Sequence, residues 1–241
     1  MADPLLAADV ANSIPVKAPV AAPQPEESIP YFLAFSGVDI TPRGGVFGFA
    51  GATIAPWGGL DTSGFRIWVH AGGGTYKYFP EPGTTIKGTD VTGDFLVGYG
   101  FEGNNYSIDL FVGVNAWKHQ LSEFDPENSV QGTAVGAEVR GELWANPTPQ
   151  TLLAGEAQYS TAFGTYWAKA KVGYDISNGQ EFFIGPELIA DGDQRFDRWR
   201  IGAHVTAAKI NKLIVEVSGG YLHSSDLGNG AYGLLQLSTQ F

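Results

Sequence analysis

From Tyr31 onward the chain alternates apolar and polar positions with a period of two. That period marks extended strands whose two faces meet different surroundings. Twelve such runs can be read, at about 31–40, 45–55, 64–73, 90–101, 104–118, 130–145, 150–160, 164–176, 180–190, 196–209, 212–223 and 231–241. In the clearest, Tyr106, Ile108, Leu110, Val112, Val114 and Ala116 share one face, while Ser107, Asp109, Gly113, Asn115 and Trp117 share the other, with Phe111 among them. The run Thr165–Ile176 sets Tyr166, Ala168, Ala170, Val172, Tyr174 and Ile176 against Trp167, Lys169, Lys171, Gly173 and Asp175. Trp199, Ile201, Ala203, Val205 and Ala207 likewise oppose Arg200, Gly202, His204 and Thr206. Several runs exceed the five or six residues usual in soluble sheets. A tilted strand needs about nine to eleven to cross a bilayer.

The connections alternate in length. Glu102–Asn104, Asn146–Pro149, Ser177–Gly179 and Ile210–Asn211 read as tight turns. Gly74–Thr89, His119–Ser129, Asp191–Arg195 and Ser224–Asn229 are longer or more polar. Short turns on one side and long loops on the other are the habit of outer-membrane barrels, with the short group and the N-terminus periplasmic. Thr41–Gly44 is short for an outer loop and Pro56–Ser63 long for a periplasmic turn. The chain closes on Gly230–Phe241, a strand pattern ending in an aromatic that suits the girdle at a membrane edge. The expected fold is an all-β, transmembrane, antiparallel up-and-down barrel of about twelve strands over residues 31–241. Its rival is a soluble barrel or clam whose aromatics face a core. Residues 1–30, rich in Ala and Pro, are expected to form a flexible periplasmic tail. Met1 runs straight into Ala-Asp-Pro, so we read the sequence as a mature chain whose signal peptide is already removed.

Composition narrows the function classes. The 241 residues include 33 Gly, 15 Phe, 10 Tyr and 6 Trp, with 16% charged residues, a balance suited to a barrel. Without Cys there is neither a disulfide framework nor a thiolate metal site. A net charge of −11 argues against nucleic acid as a partner. No apolar run approaches the roughly 18 residues of a membrane helix, which leaves barrel strands as the means of crossing.

With the apolar faces turned to outer-membrane lipid, the opposite faces line the lumen. The candidates there are Arg66, Trp68, Asp94, Asp109, Trp117, Glu138, Arg140, Glu142, Trp144, Trp167, Lys169, Lys171, Glu187, Arg198, Arg200 and His204. In a narrow lumen such mixed charges pair across the space and hold the barrel in shape. The alternative is a path for a hydrophilic solute, with tryptophans offering flat faces to sugar rings. Tyr99, Phe101, Tyr106, Tyr159, Tyr166, Tyr174, Trp199 and Tyr221 are expected in the interfacial girdles. Hydrolase chemistry has only thin candidates: His119 near Ser122 and Glu123, and His223 beside Ser224, Ser225 and Asp226, with no Gly-x-Ser-x-Gly elbow. Asp191, Asp193 and Asp197 supply oxygens, but not at EF-hand spacing, and Arg195 sits among them, so a solvated loop is the reading there. Neither a metal nor any other cofactor is called for.

Some stretches are more specific. Tyr159-Ser-Thr-Ala-Phe-Gly-Thr-Tyr-Trp-Ala-Lys-Ala-Lys-Val-Gly-Tyr174, Ile184-Gly-Pro-Glu187, Arg200-Ile-Gly-Ala-His204, Gly230-Ala-Tyr-Gly233 and the opening Phe35-Ser-Gly-Val-Asp39 resemble the bacterial cellulose biosynthesis protein BcsS family. The resemblance implies an envelope protein linked to cellulose production, with polysaccharide or its export machinery as partner. It brings no catalytic motif. Three functions stay open. The first is a non-enzymatic accessory of cellulose or exopolysaccharide secretion. The second is a passive channel in which Arg140, Lys169, Lys171, Arg198 and Arg200 act against Asp94, Asp109 and Glu138. The third is a surface lipid-modifying hydrolase.

Overall fold

The computed structural model describes residues 29–41, 45–80, 84–177, 181–210 and 213–241, with side chains of 207–210 left aside. Its strands are β1 (Phe32–Thr41), β2 (Gly45–Ile54), β3 (Gly64–Tyr78), β4 (Ile86–Glu102), β5 (Tyr106–Leu121), β6 (Gly132–Ala145), β7 (Thr151–Ser160), β8 (Tyr166–Asp175), β9 (Phe183–Gly192), β10 (Asp197–Ile210), β11 (Leu213–Ser224) and β12 (Gly228–Gln240). Each pairs antiparallel with its neighbours in sequence, and β1 pairs with β12, so the sheet closes into a twelve-stranded up-and-down barrel. The seam runs from Leu33 opposite Gln240 to Ile40 opposite Gly233. Phe241 completes it: its carbonyl accepts the Tyr31 N–H at 2.8 Å and its own N–H donates to Phe32 at 2.9 Å.

The alternation sorts the residues as a membrane requires. Val91, Phe95, Leu110, Val112, Val114, Val139, Val172, Leu188, Ile201 and Val217 stand exposed on the outer surface. Arg66, Arg200, Glu187 and His204 are buried inside at 1% exposure each. Charge inside and Val and Leu outside invert the arrangement of a soluble protein, and the soluble clam is thereby set aside. Two aromatic girdles bound the apolar wall. Tyr31, Tyr99, Phe101, Tyr106, Tyr174 and Phe241 lie toward the end that carries the termini, and Tyr159, Trp199 and Tyr221 toward the other.

Three expectations need correction. Gly74–Thr89 is no long loop, because β3 and β4 pair as far as Tyr78 opposite Ile86. Gly74, read as the start of that loop, lies within the ladder with Gly72 on the same face, and the Phe47 ring takes the place of the Gly72 side chain. A Cβ on Gly72 would meet Phe47 Cζ at 2.6 Å. The long turn between β2 and β3 folds under the barrel. Leu60 N–H donates to Pro30 at 2.7 Å, and Arg66 Nη2 donates to the carbonyls of Thr62 and Leu60 at 2.7 and 3.0 Å. Leu60 and Asp61 of this turn border the lumen at its terminal end. Asp191 is no solvated loop residue: it ends β9 and is buried. The expected tail up to residue 28 lies outside the described residues, as do most of the short connections at 41–44, 177–179 and 210–211.

If the wall meets hydrocarbon, Val112→Arg, in the middle of β5, should destabilise the refolded barrel by about 2–4 kcal/mol in lipid vesicles. The same substitution on a water-facing strand stays within about 0.5 kcal/mol. Equilibrium denaturation in vesicles measures the difference.

Candidate functional site: the barrel lumen

One cavity of about 1570 Å³ occupies the interior. Its lining reaches from Leu60, Glu102, Trp144 and Gln240 at the terminal end to Tyr78, Asp125, Asp193 and Asp226 at the loop end. All the lumen candidates border this cavity except Glu138, Glu187 and His204, which lie fully buried in the inner wall.

The wall from β6 to β11 carries an ionic lattice. Arg140 reaches Glu142 and Glu156 at 2.7 and 2.6 Å and also donates to Gln158. Lys169 bridges Glu156 at 2.8 Å and Glu216 at 3.1 Å, and Lys171 bonds the second oxygen of Glu216. Nearer the loops, Asp191 accepts Arg198 at 2.5 Å and Arg200 at 2.9 Å, while Arg200 crosses the seam to Asp39 at 2.5 Å. Register explains part of the lattice. Glu142 faces Glu156 across β6 and β7, Glu156 faces Lys169 across β7 and β8, and Arg200 neighbours Asp191 across β10 and β9. Lys171 likewise faces Glu187 across β8 and β9, whereas Glu142 and Glu156 are like charges that Arg140 joins, and Glu216 and Asp39 are reached from β8 and β10 over intervening strands. Tyr232 donates to Glu187 at 2.9 Å, and His204 is held by Thr206 at 2.8 Å and the Val172 carbonyl at 3.0 Å. Such pairs, out of bulk water and satisfied on several sides, are costly to break singly.

The wall from β1 to β5 is different. Phe35, Phe47, Phe49, Trp68, Tyr76 and Trp117 border the cavity there. The phenylalanines escaped the sequence reading because an inward Phe and a lipid-facing Phe are the same letter. Their rings lie down on the wall because in-register glycines leave room. Phe35 stands opposite Gly51, where a Cβ would meet the ring at 2.4 Å, and Tyr76 stands opposite Gly88, where it would meet the ring at 2.1 Å. Upright, rings of this size would fill a lumen of twelve strands. The walls join where Arg140 sits over Trp68, 4.1 Å from the ring centre. His70 and Asp94 pair at 2.5 Å below Phe49, Asn115 also donates to Asp94, and Glu138 bonds Asp94 beside them. Asp109 and Glu102 face Arg66 at 3.5 and 3.6 Å.

Asp39 and Asp191 are lumen carboxylates that the sequence reading did not place there, Asp191 being read as a loop residue. Asp39 is the single charge of its strand, two positions beyond Gly37 and four beyond Phe35 on the same face. That spacing was the available signal. The loop end of the lumen is acidic, with Asp90, Glu123, Asp125, Glu127, Asp193 and Asp226 against Lys77 and Arg195. Burial pushes the Asp193 carboxyl up to about 6 and raises that of Asp226. The loop before β6 bends over this mouth, where Tyr78 donates to Asp125 at 2.8 Å and Gln131 to the Asn128 carbonyl at 2.9 Å.

The hydrolase candidates are not assembled. His119 Nδ1 lies 3.2 Å from the Tyr76 hydroxyl, and Ser122 accepts the Lys87 N–H. His223 Nδ1 pairs with Asn229 at 2.8 Å, while Ser225 accepts the Asp197 N–H. The three aspartates weighed for a cation are separately engaged: Asp191 by arginines, Asp193 by the Arg195 N–H at 2.7 Å and Asp197 by the Tyr166 hydroxyl at 2.6 Å.

Among solved structures, the KdgM porin is 12% identical, with a TM-score of 0.47, covering 87% of this chain and 99% of that one. The transport unit of the autotransporter AIDA-I from Escherichia coli is 10% identical, with a TM-score of 0.50, covering 92% of this chain and 93% of that one. At such identity the second likeness is one of fold alone, a closed antiparallel barrel, and the first carries nothing further. No curated protein matches the sequence. The family described as cellulose biosynthesis protein BcsS matches residues 33–241, from the second residue of β1 to the last of the chain, and the chain belongs to that family.

Proposed function

We propose that this barrel is a non-enzymatic component of the outer membrane that gives a hydrophilic solute of the cellulose-producing envelope a path through its lumen, alongside the machinery of cellulose export. The observation that carries the reading is the cavity of about 1570 Å³, bordered by residues of both barrel ends. Family membership links it to cellulose synthesis. The apolar wall between two girdles supports the membrane setting, with the termini and most of the short turns on the periplasmic side. A hydrolase reading loses its support because neither His119 nor His223 bonds a serine among the described residues. The ionic lattice reads as scaffold and filter together: it fixes the shape of one wall and leaves little unpaired charge in the middle of the path.

Refolded protein in a planar bilayer should open in discrete, reproducible conductance steps. A silent bilayer containing demonstrably folded barrel overturns the reading. Glu216→Gln, which leaves Lys171 without its carboxylate and Lys169 with one fewer, should shift the reversal potential toward anions and destabilise the barrel by about 3–5 kcal/mol.

The acidic loop-side mouth should favour cations at neutral pH. Asp193, with its carboxyl near 6, and Asp226, also raised, take up protons as the pH falls, and the mouth loses negative charge. Cation preference should therefore weaken between pH 7.5 and 5. The reversal potential in a salt gradient at both pH values measures it, and an Asp193→Asn variant should lose part of that dependence.

A further inference from the structure

We propose that the inner wall of β1 to β5 is a binding track for an uncharged pyranose chain, with sugar faces stacked on its aromatic ladder and hydroxyls bonded to the ionic wall opposite. The inference rests on the lumen reading above and names the solute class.

The ladder is continuous. Trp68 and Phe35 stack with ring centres 4.8 Å apart, and Phe35 reaches Phe49 at 6.5 Å. Phe49 and Phe47 are successive inward positions of β2, about 7 Å apart along the strand. Phe47 reaches Trp117 at 6.3 Å, Trp117 stacks on His119 at 5.4 Å, and His119 meets Tyr76 at 6.0 Å. The steps are comparable to the length of one hexose in an extended glycan. Phe49, Phe35, Phe47 and Tyr76 lie over Gly37, Gly51, Gly72 and Gly88 and border the cavity, whereas the Trp68 ring is capped by Arg140. The electron-rich face of an aromatic ring attracts the slightly positive C–H groups of a pyranose, as it attracts cations.

Two further observations point to a ligand, and to a neutral one. His119 is 7% exposed and borders the cavity, yet its Nε2 has no protein partner. An unpartnered polar nitrogen beside the cavity is a place for a hydrogen-bonding group, and a sugar hydroxyl met by a small turn of the imidazole is one. The facing wall, in turn, has its cations committed: Arg140, Lys169, Lys171, Arg198 and Arg200 are each ion-paired. Among the described residues it offers hydrogen bonds to hydroxyls but no free cation to a uronate, and the acidic mouth repels one.

The test titrates cellohexaose into the refolded barrel by calorimetry and adds it to the conducting bilayer, with a hexauronate of equal length as the charged comparison. Cellohexaose should bind saturably and lower the open current. Phe47→Leu and Trp117→Leu, each verified as folded by heat-modifiable gel mobility, should weaken binding about fivefold. The hexauronate should bind about tenfold more weakly. Conduction without cellohexaose binding or block overturns the track and leaves the open lumen standing. Binding without conduction supports the track and overturns the open path instead. Equal affinity for the hexauronate, or unchanged affinity in both folded leucine variants, also overturns the track.

Discussion

A sheet in hydrocarbon cannot have an edge. With no water to take up unpaired N–H and C=O groups, each of them left open in the bilayer costs several kcal/mol, so the chain must return its last strand to its first. Here that return uses every residue available. The β1–β12 ladder extends to Phe241, whose backbone still bonds Tyr31 and Phe32 while its ring stands out beside the terminal girdle. Once the ring of strands is closed, each residue has only two places to be. Those facing out meet lipid and must be apolar. Those facing in share a confined space and must settle with one another.

The inner surface settles in two ways, and the division follows the strands. From β6 to β11 many inward residues are long and charged, and cross-strand register places opposite signs side by side at Glu156 with Lys169 and at Asp191 with Arg198. From β1 to β5 aromatic rings stand among charged and small residues, and for those rings bulk is the difficulty. Glycine removes it, since each flattened ring takes the volume that a side chain on the next strand would occupy. The same device covers the bare glycine backbone, which would otherwise weaken the strand. Both arrangements keep side chains against the wall, and the cavity is what they leave.

Much of this was legible in the sequence. The period of two located twelve strands, the Tyr106–Trp117 run declared its faces, and the mixed charges on one face announced a paired interior. What stayed hidden has physical reasons. In β1 and β2 both faces are largely apolar, so alternation cannot separate an inward Phe35 or Phe47 from an outward Val46; the subtler sign is Phe followed by Gly along a single face, as in Phe35 and Gly37 and in Phe49 and Gly51. Gly74 reads locally as the start of a loop, and only its pairing with the neighbouring strands makes it part of the ladder. Asp191 lies in a polar stretch that resembles a loop, and its place depends on its in-register partner Arg198 and the diagonal Arg200, which spacing alone does not reveal. The Pro56–Ser63 connection looked too long for its side because it folds under the barrel, held there by Arg66.

In the proposed path the two walls would divide the work of handling a solute. Paired charges produce a field that decays within a strand or two, so the lattice contributes hydrogen bonds and shape more than potential, and long-range selection falls to the acidic mouth. Affinity along the path then comes from the aromatic wall, which is indifferent to net charge and repeats at short intervals. Repetition matters for a polymer. A single deep site would hold one sugar and stop the chain, whereas a series of similar shallow ones lets it advance by exchanging one contact for the next. A barrel built this way is matched to a long neutral chain better than to an ion, and cellulose, the polymer in the family's description, is such a chain.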